Sequence, residues 1–308
     1  MTNILDRFDR RIFAELEFDY TKPHREIAKK IRRSKSFVSY RIKRLEENGI
    51  IYYLPLIDYS KQGLTYYRIF IETTLTHDEI LGRLQGLNLK TVWLIEKYDR
   101  ENFVFVVLAE SNLALQRIWE TIHERLASVT SKNISTAYCI HHLSNNFFYN
   151  RKDKDHRITG AANPVPLTDF QERILAFLTE KPMATYREMA NTLRSHEITI
   201  KKEIKNLEET KVICAYQTLL NKETLGLQSY KLFMSFPFTL KRKQQLIEAL
   251  KQIPDIVYIT ESSYQYDLEC EAYVYDNDRI KRIISELKAQ YPFTRLALTL
   301  TRSETKLR

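Results

Sequence analysis

Glycine, cysteine and long apolar runs are all scarce in this chain. Six glycines among 308 residues leave no glycine-rich loop of the kind that cradles phosphate groups. The three cysteines, Cys139, Cys214 and Cys270, form no CxxC pair. A disulfide framework is therefore not expected, and the thiols are predicted to be reduced ones of a cytoplasmic protein. No apolar run reaches the ~18–20 residues that cross a bilayer, and the first residues lack the apolar stretch of a signal peptide, so no membrane partner is expected.

What the chain does have is basic charge and a normal share of apolar residues. The formal net charge is +9, with a sequence pI of about 9.2, which favours a polyanionic partner. Hydrophobic residues make up 44%, a value typical of globular domains. The length is sufficient for two or more domains, each with its own core.

The chain contains one pattern twice. Residues 5–60 align with residues 167–222 at an offset of 162, with matches such as Leu5 with Leu167 and Ala28 with Ala190. A period this long indicates a duplicated module rather than a solenoid repeat. Features that both copies keep are interpreted as fold, and features that one copy has lost are interpreted as function.

The duplicated segment predicts a winged helix-turn-helix. In the first copy, the spacing of apolar residues predicts helices over 3–18, 24–31 and 35–47, and a β-branched wing strand over 50–57. Ser34 is a predicted N-cap of the third helix, and Asn48-Gly49 is its predicted end. The second copy predicts matching helices over 167–179, 186–193 and 197–209, and a strand over 212–220.

Each helix-turn-helix is followed by a predicted βαββαβ unit, the ferredoxin-like order. The predicted fold class is therefore α+β, with two copies of a winged helix-turn-helix plus a ferredoxin-like domain. The aspartate or asparagine at 58 and 221, each followed five residues later by glycine, predicts a turn in which Gly63 and Gly226 adopt positive φ. The predicted domains are 1–60, 61–149, 167–222 and 223–308, with a linker over 150–166.

This arrangement resembles the Lrp/AsnC (feast/famine) family of transcription regulators. The resemblance is carried by LDRFDRRIFAEL at 5–16 and REIAKKIRRSKSFVSYRIKRLEENGII at 25–51, with weaker counterparts in the second copy. It implies that the helix-turn-helix binds double-stranded DNA and that the βαββαβ units mediate dimerisation and bind small-molecule effectors. The expected partners are therefore DNA, a second copy of the chain and a candidate effector, and the expected location is the cytoplasm, associated with the nucleoid.

The recognition helix of the first copy presents a basic, hydroxyl-rich face that suits a DNA major groove. Residues 22–44 hold ten basic and one acidic residue, a net charge of +9, which phosphate neutralisation requires. The predicted DNA-binding residues are Arg25, Lys30, Arg32, Arg33, Ser34, Lys35, Ser36, Ser39, Tyr40, Lys43 and Arg44. The alternative is a solvated basic helix without function.

The second copy differs at the positions that matter for DNA. Lys35 is replaced by Glu197, Ser36 by Ile198, and the window 184–206 has a net charge of only +2. Glu197 near a helix N-terminus suits the helix dipole but repels phosphate. We predict that this module keeps the fold and has lost much of its DNA affinity. The alternative is a module that binds a different sequence weakly.

The candidate effector residues lie in the turns between the two middle strands of each βαββαβ unit. They are Tyr98, Asp99 and Arg100 in the first copy, and Tyr264, Tyr266 and Asp267 in the second. The resemblance implies a glycine in such turns, and neither copy has one, so the bulky tyrosines favour either no ligand or a flat one. On the next strand, Glu269 and Glu271 share a face; they could line a polar cleft, lie at a solvated edge or pair with Lys or Arg.

No catalytic residue, metal or cofactor is expected. His141 and His142 are adjacent on a predicted strand, so they point to opposite faces and cannot readily share one metal ion. Some proteins of this fold decarboxylate sirohaem and use His and Arg around the middle-strand turn, but neither turn here contains a histidine. The chain is therefore predicted not to be an enzyme. The alternatives kept open are such a decarboxylase and an architectural DNA-binding protein of the nucleoid.

Overall fold

The computed structural model describes residues 5–87, 91–149, 155–237, 239–263 and 266–306. The chain divides into two compact units. The first unit draws on Met1–Gln62, Ser144–Thr159 and Asn163–Leu227, and therefore holds both helix-turn-helix modules. The second draws on Gly63–Leu143, Gly160–Ala162 and Gln228–Arg308, and holds both βαββαβ domains.

The helices and strands follow the predicted order in both copies. The first copy contains α1 (Arg7–Leu16), α2 (His24–Ile31), α3 (Lys35–Glu47), β1 (Ile51–Ile57), β2 (Thr65–Thr73), α4 (His77–Leu84), β3 (Thr91–Lys97), β4 (Phe103–Ala109), α5 (Asn112–Leu126) and β5 (Val129–Leu143). A short strand, β6 (His156–Gly160), follows. The second copy contains α6 (Asp169–Glu180), α7 (Tyr186–Leu193), α8 (Glu197–Glu209), β7 (Ile213–Leu220), β8 (Gln228–Ser235), α9 (Leu240–Gln252), β9 (Ile256–Ser263), β10 (Leu268–Val274), α10 (Asn277–Gln290) and β11 (Arg295–Lys306).

Local capping sets the boundaries of α3. The Ser34 hydroxyl accepts a hydrogen bond from the Phe37 amide at 3.1 Å, which confirms Ser34 as the N-cap of α3. At the other end, α3 stops at Glu47, and Gly49 follows with φ +62°. Val38, Ile42 and Leu45 are the buried residues of α3, as the apolar spacing predicts.

The two wing strands pair with each other inside the first unit. β1 and β7 form a two-stranded antiparallel sheet in which Ile51 lies opposite Leu220 and Ile57 lies opposite Ile213. Ile51 and Ile213 are equivalent positions of the two copies, so the pairing is related by an approximate two-fold axis. The duplicated chain thus makes, within one polypeptide, the self-complementary contact that a symmetric dimer makes between two.

The eight strands of the two βαββαβ domains close into an antiparallel ring. The order is β2-β4-β3-β11-β8-β10-β9-β5, and β5 also pairs with β2. Within each copy the sheet order is fourth, first, third and second strand, which confirms the ferredoxin-like arrangement. The copies join through β3 with β11 and through β5 with β9, again as equivalent contacts. The fold class is therefore α+β, as predicted.

Each βαββαβ domain buries one sheet face under its helices, and the other face carries a second apolar cluster, which includes Phe70, Val104 and Phe233, together with buried ion pairs. The first core packs residues such as Ile69 and Phe105 with Ile80 and Ile122 of α4 and α5. On the opposite face, buried Glu269 pairs with Arg68 of the first copy. Buried Glu271 accepts from Lys231 at 2.6 Å. The two glutamates on the shared face of β10 thus meet basic partners, one of the alternatives that the sequence left open.

Two local predictions have different outcomes. Gly63 and Gly226 have φ of +73° and +65°, which confirms their predicted role in the turns after the wings. The segment predicted as a linker contains β6, and the residues just before that segment belong to the first unit. There, Phe148 is buried beside Phe13, and the Asn145 amide donates to Glu17 at 2.6 Å. Residues 150–154 of the predicted linker lie outside the described residues.

Candidate nucleic-acid interface

The outward face of α3 carries the predicted base-reading residues. Lys35, Ser36 and Lys43 are exposed, and the Tyr40 ring is 65% exposed. They lie opposite Val38 and Ile42, which are buried. A helix of this kind can enter a major groove, where hydroxyl and ammonium groups hydrogen-bond base edges and phosphates.

Arg44, a predicted DNA contact, also pairs with a buried carboxylate, although its side chain is 37% exposed. Asp9 of α1 is fully buried, and its carboxylate oxygens lie 2.7 Å from Arg44 and 3.2 Å from Arg41. Arg41 also contacts Asp6 at 2.6 Å. Because Asp9 needs a cationic partner to be buried, Arg44 fixes α3 against α1. The helical wheel placed Arg44 beside the DNA face, but it could not show Asp9.

The second copy has an equivalent contact that is built on an uncharged amide in place of the Asp9 carboxylate. Gln171 occupies the position of Asp9, and its side-chain amide donates to Glu203 at 2.9 Å and to Asn206 at 3.0 Å. Glu203 and Asn206 are the counterparts of Arg41 and Arg44. All three positions have changed together, so the geometry is kept while two positive charges beside the recognition helix are lost. Compensating substitutions thus keep the packing between the first and third helices of the second module.

The remaining predicted DNA residues are exposed, but some of them also contact protein groups. Arg25, Arg32, Arg33 and Lys30 are exposed. Lys30, however, contacts Glu15 at 2.7 Å, and Ser39 lies 2.8 Å from the His24 ring. Partial burial raises the pKa of Glu15, but hydrogen bonds from Lys30 and Lys22 more than offset this and lower it to about 2. Lys30 and Ser39 therefore help to position α2 and α3, and Lys30 also adds positive charge to this surface.

The second recognition helix has an unusual exposed surface. Ile198, which replaces Ser36, is 81% exposed. His196, the counterpart of Ser34, makes no side-chain cap hydrogen bond, whereas Ser34 does. The Ile198 side chain is therefore open to solvent.

The candidate effector residues that the structure describes lie at the ends of the middle strands. Tyr98 is 63% exposed, and the Arg100 guanidinium contacts Glu72 at 3.0 Å. Asp267 accepts a hydrogen bond from the Phe236 amide at 3.3 Å. Tyr266 stacks on Phe233 with a centroid distance of 5.2 Å. Tyr264 lies outside the described residues. That the tyrosine rings exclude an effector from these turns stays a prediction.

Lys97 is a buried cation beside the first turn that the sequence did not single out. Only 2% of its side chain is exposed, and its ammonium lies 4.9 Å from the Phe70 ring centre and 3.8 Å from Asp99. Burial lowers the pKa of Lys97, and the negative charge of Asp99 works against that shift. The sequence gives no signal for the burial of Lys97, because the two aromatic rings beside its ammonium, Phe70 and Phe233, come from different copies.

Comparison with known proteins finds that the first helix-turn-helix is similar to DNA-binding domains. A family model described as "Winged helix-turn-helix DNA-binding" matches residues 5–52. The HTH-type transcriptional regulator Ptr1 of Methanocaldococcus jannaschii is 22% identical over 37% of this chain and 76% of its own length. These matches support DNA binding and transcription regulation. Within the described residues, every helix is too short or too polar to cross a membrane.

Two solved structures align with nearly the whole chain. The siroheme decarboxylase NirDL is 15% identical and covers 98% of this chain and 93% of its own, with a TM-score of 0.63. The same enzyme in complex with an iron-uroporphyrin III analogue is 14% identical and covers 97% and 92%, with a TM-score of 0.62. At this identity the likeness shows the fold.

The prediction that the chain is not an enzyme is wrong. It rested on the absence of histidine from the middle-strand turns and on the basic recognition helix. The complete two-copy architecture nevertheless matches that of an enzyme, including both helix-turn-helix modules. The architecture therefore does not separate regulators from enzymes, and a missing residue type at one turn is insufficient to do so.

Proposed function

We propose that this chain, an Lrp/AsnC-type protein, is a transcription regulator that recognises a double-stranded DNA sequence with α3 in the major groove. In this proposal the first module supplies base reading, and the second module supports it through the paired wing strands. The βαββαβ domains serve assembly and the sensing of a small molecule. Location at the nucleoid follows from DNA binding.

The observation that supports the proposal is the contrast between two recognition helices in the same fold. α3 exposes Lys35, Ser36 and Tyr40, whereas α8 exposes Glu197, Ile198 and Lys202 at the equivalent positions. The compensated change around Gln171 shows that the second helix is correctly seated. Loss of function at a preserved fold is the pattern expected if only the first helix still contacts DNA.

Sequence specificity is tested by fluorescence anisotropy with the full-length protein. The probe is a duplex from the chain's own upstream region, found by footprinting, and the competitor is a duplex with the same base composition in scrambled order. A specific regulator should prefer the probe by at least ~10³-fold at physiological salt. Equal affinity for both duplexes would favour an architectural protein and would overturn the proposal.

A palindromic operator requires two strong reading heads. Each chain offers one, so we propose that two chains assemble on one operator, with α3 helices about 34 Å or a multiple of it apart. Light scattering should detect a species of at least twice the 36.7 kDa chain mass on operator DNA. Full-strength operator binding by a single chain would contradict this assembly.

A second candidate function is that of the structural neighbour NirDL, a siroheme decarboxylase: the binding and decarboxylation of a flat, acidic tetrapyrrole. The observation that favours it is the pairing of arginine with tyrosine beside the middle turns. The Arg302 guanidinium lies 5.9 Å from the Tyr98 ring centre, and that of Arg295 lies 5.0 Å from the Tyr266 ring centre. Guanidinium groups and aromatic faces together suit a planar polycarboxylate.

This candidate is tested by adding iron-uroporphyrin III to the purified protein and recording its absorption spectrum. Saturable binding should shift the main porphyrin band, and Arg295→Ala and Arg302→Ala should weaken it. Mass spectrometry of sirohaem incubated with the protein would then show whether carboxyl groups are lost. An unshifted spectrum at tens of micromolar protein would reject the candidate without affecting the DNA-binding test.

A further inference from the structure

Three metal-ligand side chains meet on one face of the strand pair β5–β9. Cys139 of β5 lies directly opposite Glu261 of β9 in the antiparallel register. Side chains two residues apart on a strand share a face, so His141 joins them. Directly opposed residues have Cβ atoms about 4.5–5.5 Å apart, which brings their side-chain ends together. This strand pair is one of the two that join the copies.

Two of the three distances between the donor atoms match those of a tetrahedral zinc site. Cys139 Sγ lies 3.7 Å from His141 Nε2, which lies 3.4 Å from Glu261 Oε1. All three donor atoms are within 4.8 Å of one another. Tetrahedral bonds of ~2.3 Å to sulfur and ~2.0–2.1 Å to nitrogen and oxygen would place sulfur and nitrogen about 3.6 Å apart, and nitrogen and oxygen about 3.3 Å apart. The sulfur–nitrogen and nitrogen–oxygen distances are therefore compatible with bonds to one shared ion, and the 4.8 Å limit keeps the third pair within reach of it.

The surroundings hold these groups in place. Lys243 of α9 donates to the other carboxylate oxygen, Glu261 Oε2, at 2.8 Å, and to the Tyr138 hydroxyl at 2.5 Å. This leaves Oε1 directed at His141, as an outer partner of a ligating carboxylate does. His141 is 6% exposed, and within the described residues its Nδ1 has no hydrogen-bond partner. The polar contacts of the ring are thus confined to this cluster.

We propose that Cys139, His141 and Glu261 form a transition-metal site, which we call the seam site, for Zn²⁺ or an ion of similar preference. A thiolate and a carboxylate would balance the charge of a divalent ion, and a mixed sulfur, nitrogen and oxygen donor set suits zinc and cobalt. The three protein ligands leave a fourth position for water or a small ligand. A bound ion would tie the two βαββαβ domains of one chain together.

The sequence missed this site for a simple reason. The expectation of no metal considered the adjacent pair His141 and His142, which do face opposite ways: the His142 ring packs edge-on against Tyr258 at 5.4 Å. The relevant pair is Cys139 and His141, and the third ligand comes from a strand more than a hundred residues away. No spacing rule within one segment could have shown it.

Cobalt spectroscopy on the chelator-treated full-length chain tests the seam site. Stoichiometric Co²⁺ should produce a thiolate-to-metal absorption band in the near ultraviolet and d–d bands of tetrahedral cobalt in the visible, and Zn²⁺ should abolish both. Cys139→Ser should remove the near-ultraviolet band, and His141→Ala and Glu261→Gln should weaken binding at least ~10-fold. Zn²⁺ should raise the melting temperature of the native chain but not that of Cys139→Ser.

The controls use groups of the same types outside the cluster. Cys214→Ser removes a thiol in the first unit, and His142→Ala removes the neighbouring ring on the opposite face. Both variants should keep the cobalt bands and the zinc-dependent rise in melting temperature. Absence of a stoichiometric band in the native chain, a band that survives Cys139→Ser, or equal loss in Cys214→Ser would each overturn the proposal.

Discussion

Asp9→Gln should loosen α3, and adding the two companion changes of the second copy should restore it. The substitution removes the carboxylate that holds Arg41 and Arg44. It does not remove the capping box of α1, because glutamine serves there too: in the second copy Gln171 accepts from the Thr168 amide at 3.1 Å. The change therefore isolates the ion pairs.

The magnitude follows from the burial of the partners. Breaking a fully buried pair costs about 3–5 kcal/mol, but the Arg44 side chain is 37% exposed, which reduces the expected loss to about 2–4 kcal/mol. This corresponds to roughly 30- to 900-fold faster opening of α3. The triple variant Asp9→Gln, Arg41→Glu, Arg44→Asn recreates the amide contacts of Gln171 and should return to within about 1 kcal/mol of the native chain.

Hydrogen exchange of peptides from α3, read by mass spectrometry, measures this local opening without requiring a two-state transition of the whole chain. Peptides from α8 serve as the internal control and should exchange at the native rate in both variants. Native exchange in Asp9→Gln would refute the structural role of the ion pairs. A triple variant no slower than Asp9→Gln would refute the view that the two copies have compensated forms of one contact.

Three further outcomes are expected. Because the pKa of Glu15 is lowered to about 2, the ionised carboxylate stabilises the folded chain fully above pH 4.5, and this stabilisation is lost as pH falls toward about 2. The urea-unfolding midpoints of native and Glu15→Gln protein should therefore differ at pH 7 and converge near pH 2–3. A constant difference would contradict this. Gly160→Ala would place a Cβ 2.4 Å from the Tyr138 carbonyl oxygen and should lower the melting temperature. Gly226→Ala, which has open space around it, should lower the melting temperature far less. Equal shifts would count against the close approach of Gly160 to the Tyr138 carbonyl. Burial raises the pKa of Cys139 to about 12 and of Cys214 to about 11. Compared with the unfolded chain, iodoacetamide at pH 8 should therefore label Cys139 about three orders of magnitude more slowly and Cys214 about two orders more slowly, and fast labelling would show the opposite.

The parts of the fold that depend on local pattern could be predicted from the sequence. Helices α1 to α3 follow from apolar spacing and the caps at Ser34 and Gly49, and the βαββαβ order follows from alternating strand and helix patterns. The closed ring could not be predicted in its register, because pairing of β5 with β9 depends on tertiary geometry between segments over a hundred residues apart.

The same division holds for the candidate sites. The exposed face of α3 was predictable, since it follows from which residues the helix buries. The contact of Arg44 with Asp9 could not be predicted, because a single helix cannot show a carboxylate that reaches it from α1. Lys97 and the seam site depend on residues contributed by both copies, so no local motif points to them.

The central claim is that the first recognition helix, and not the second, carries DNA binding. Lys43 and Lys205 are equivalent positions with nearly identical surroundings: their side chains are 72% and 75% exposed, and each lies 3.5 Å from a glutamate one turn later. Stability effects of Lys43→Gln and Lys205→Gln should therefore match, and differences in DNA affinity report function alone.

The decisive measurement is the affinity of both variants for the footprinted duplex as a function of salt. One phosphate contact is worth about eightfold at ~0.1 M salt and about 0.9 in the slope of log K against log salt concentration. Because two chains bind the operator in the proposed assembly, Lys43→Gln should lose two such contacts, about 60-fold in affinity and about 1.8 in the slope. Lys205→Gln should stay within about twofold of the native chain with an unchanged slope. Equal losses from the two variants, or a loss confined to Lys205→Gln, would contradict the account.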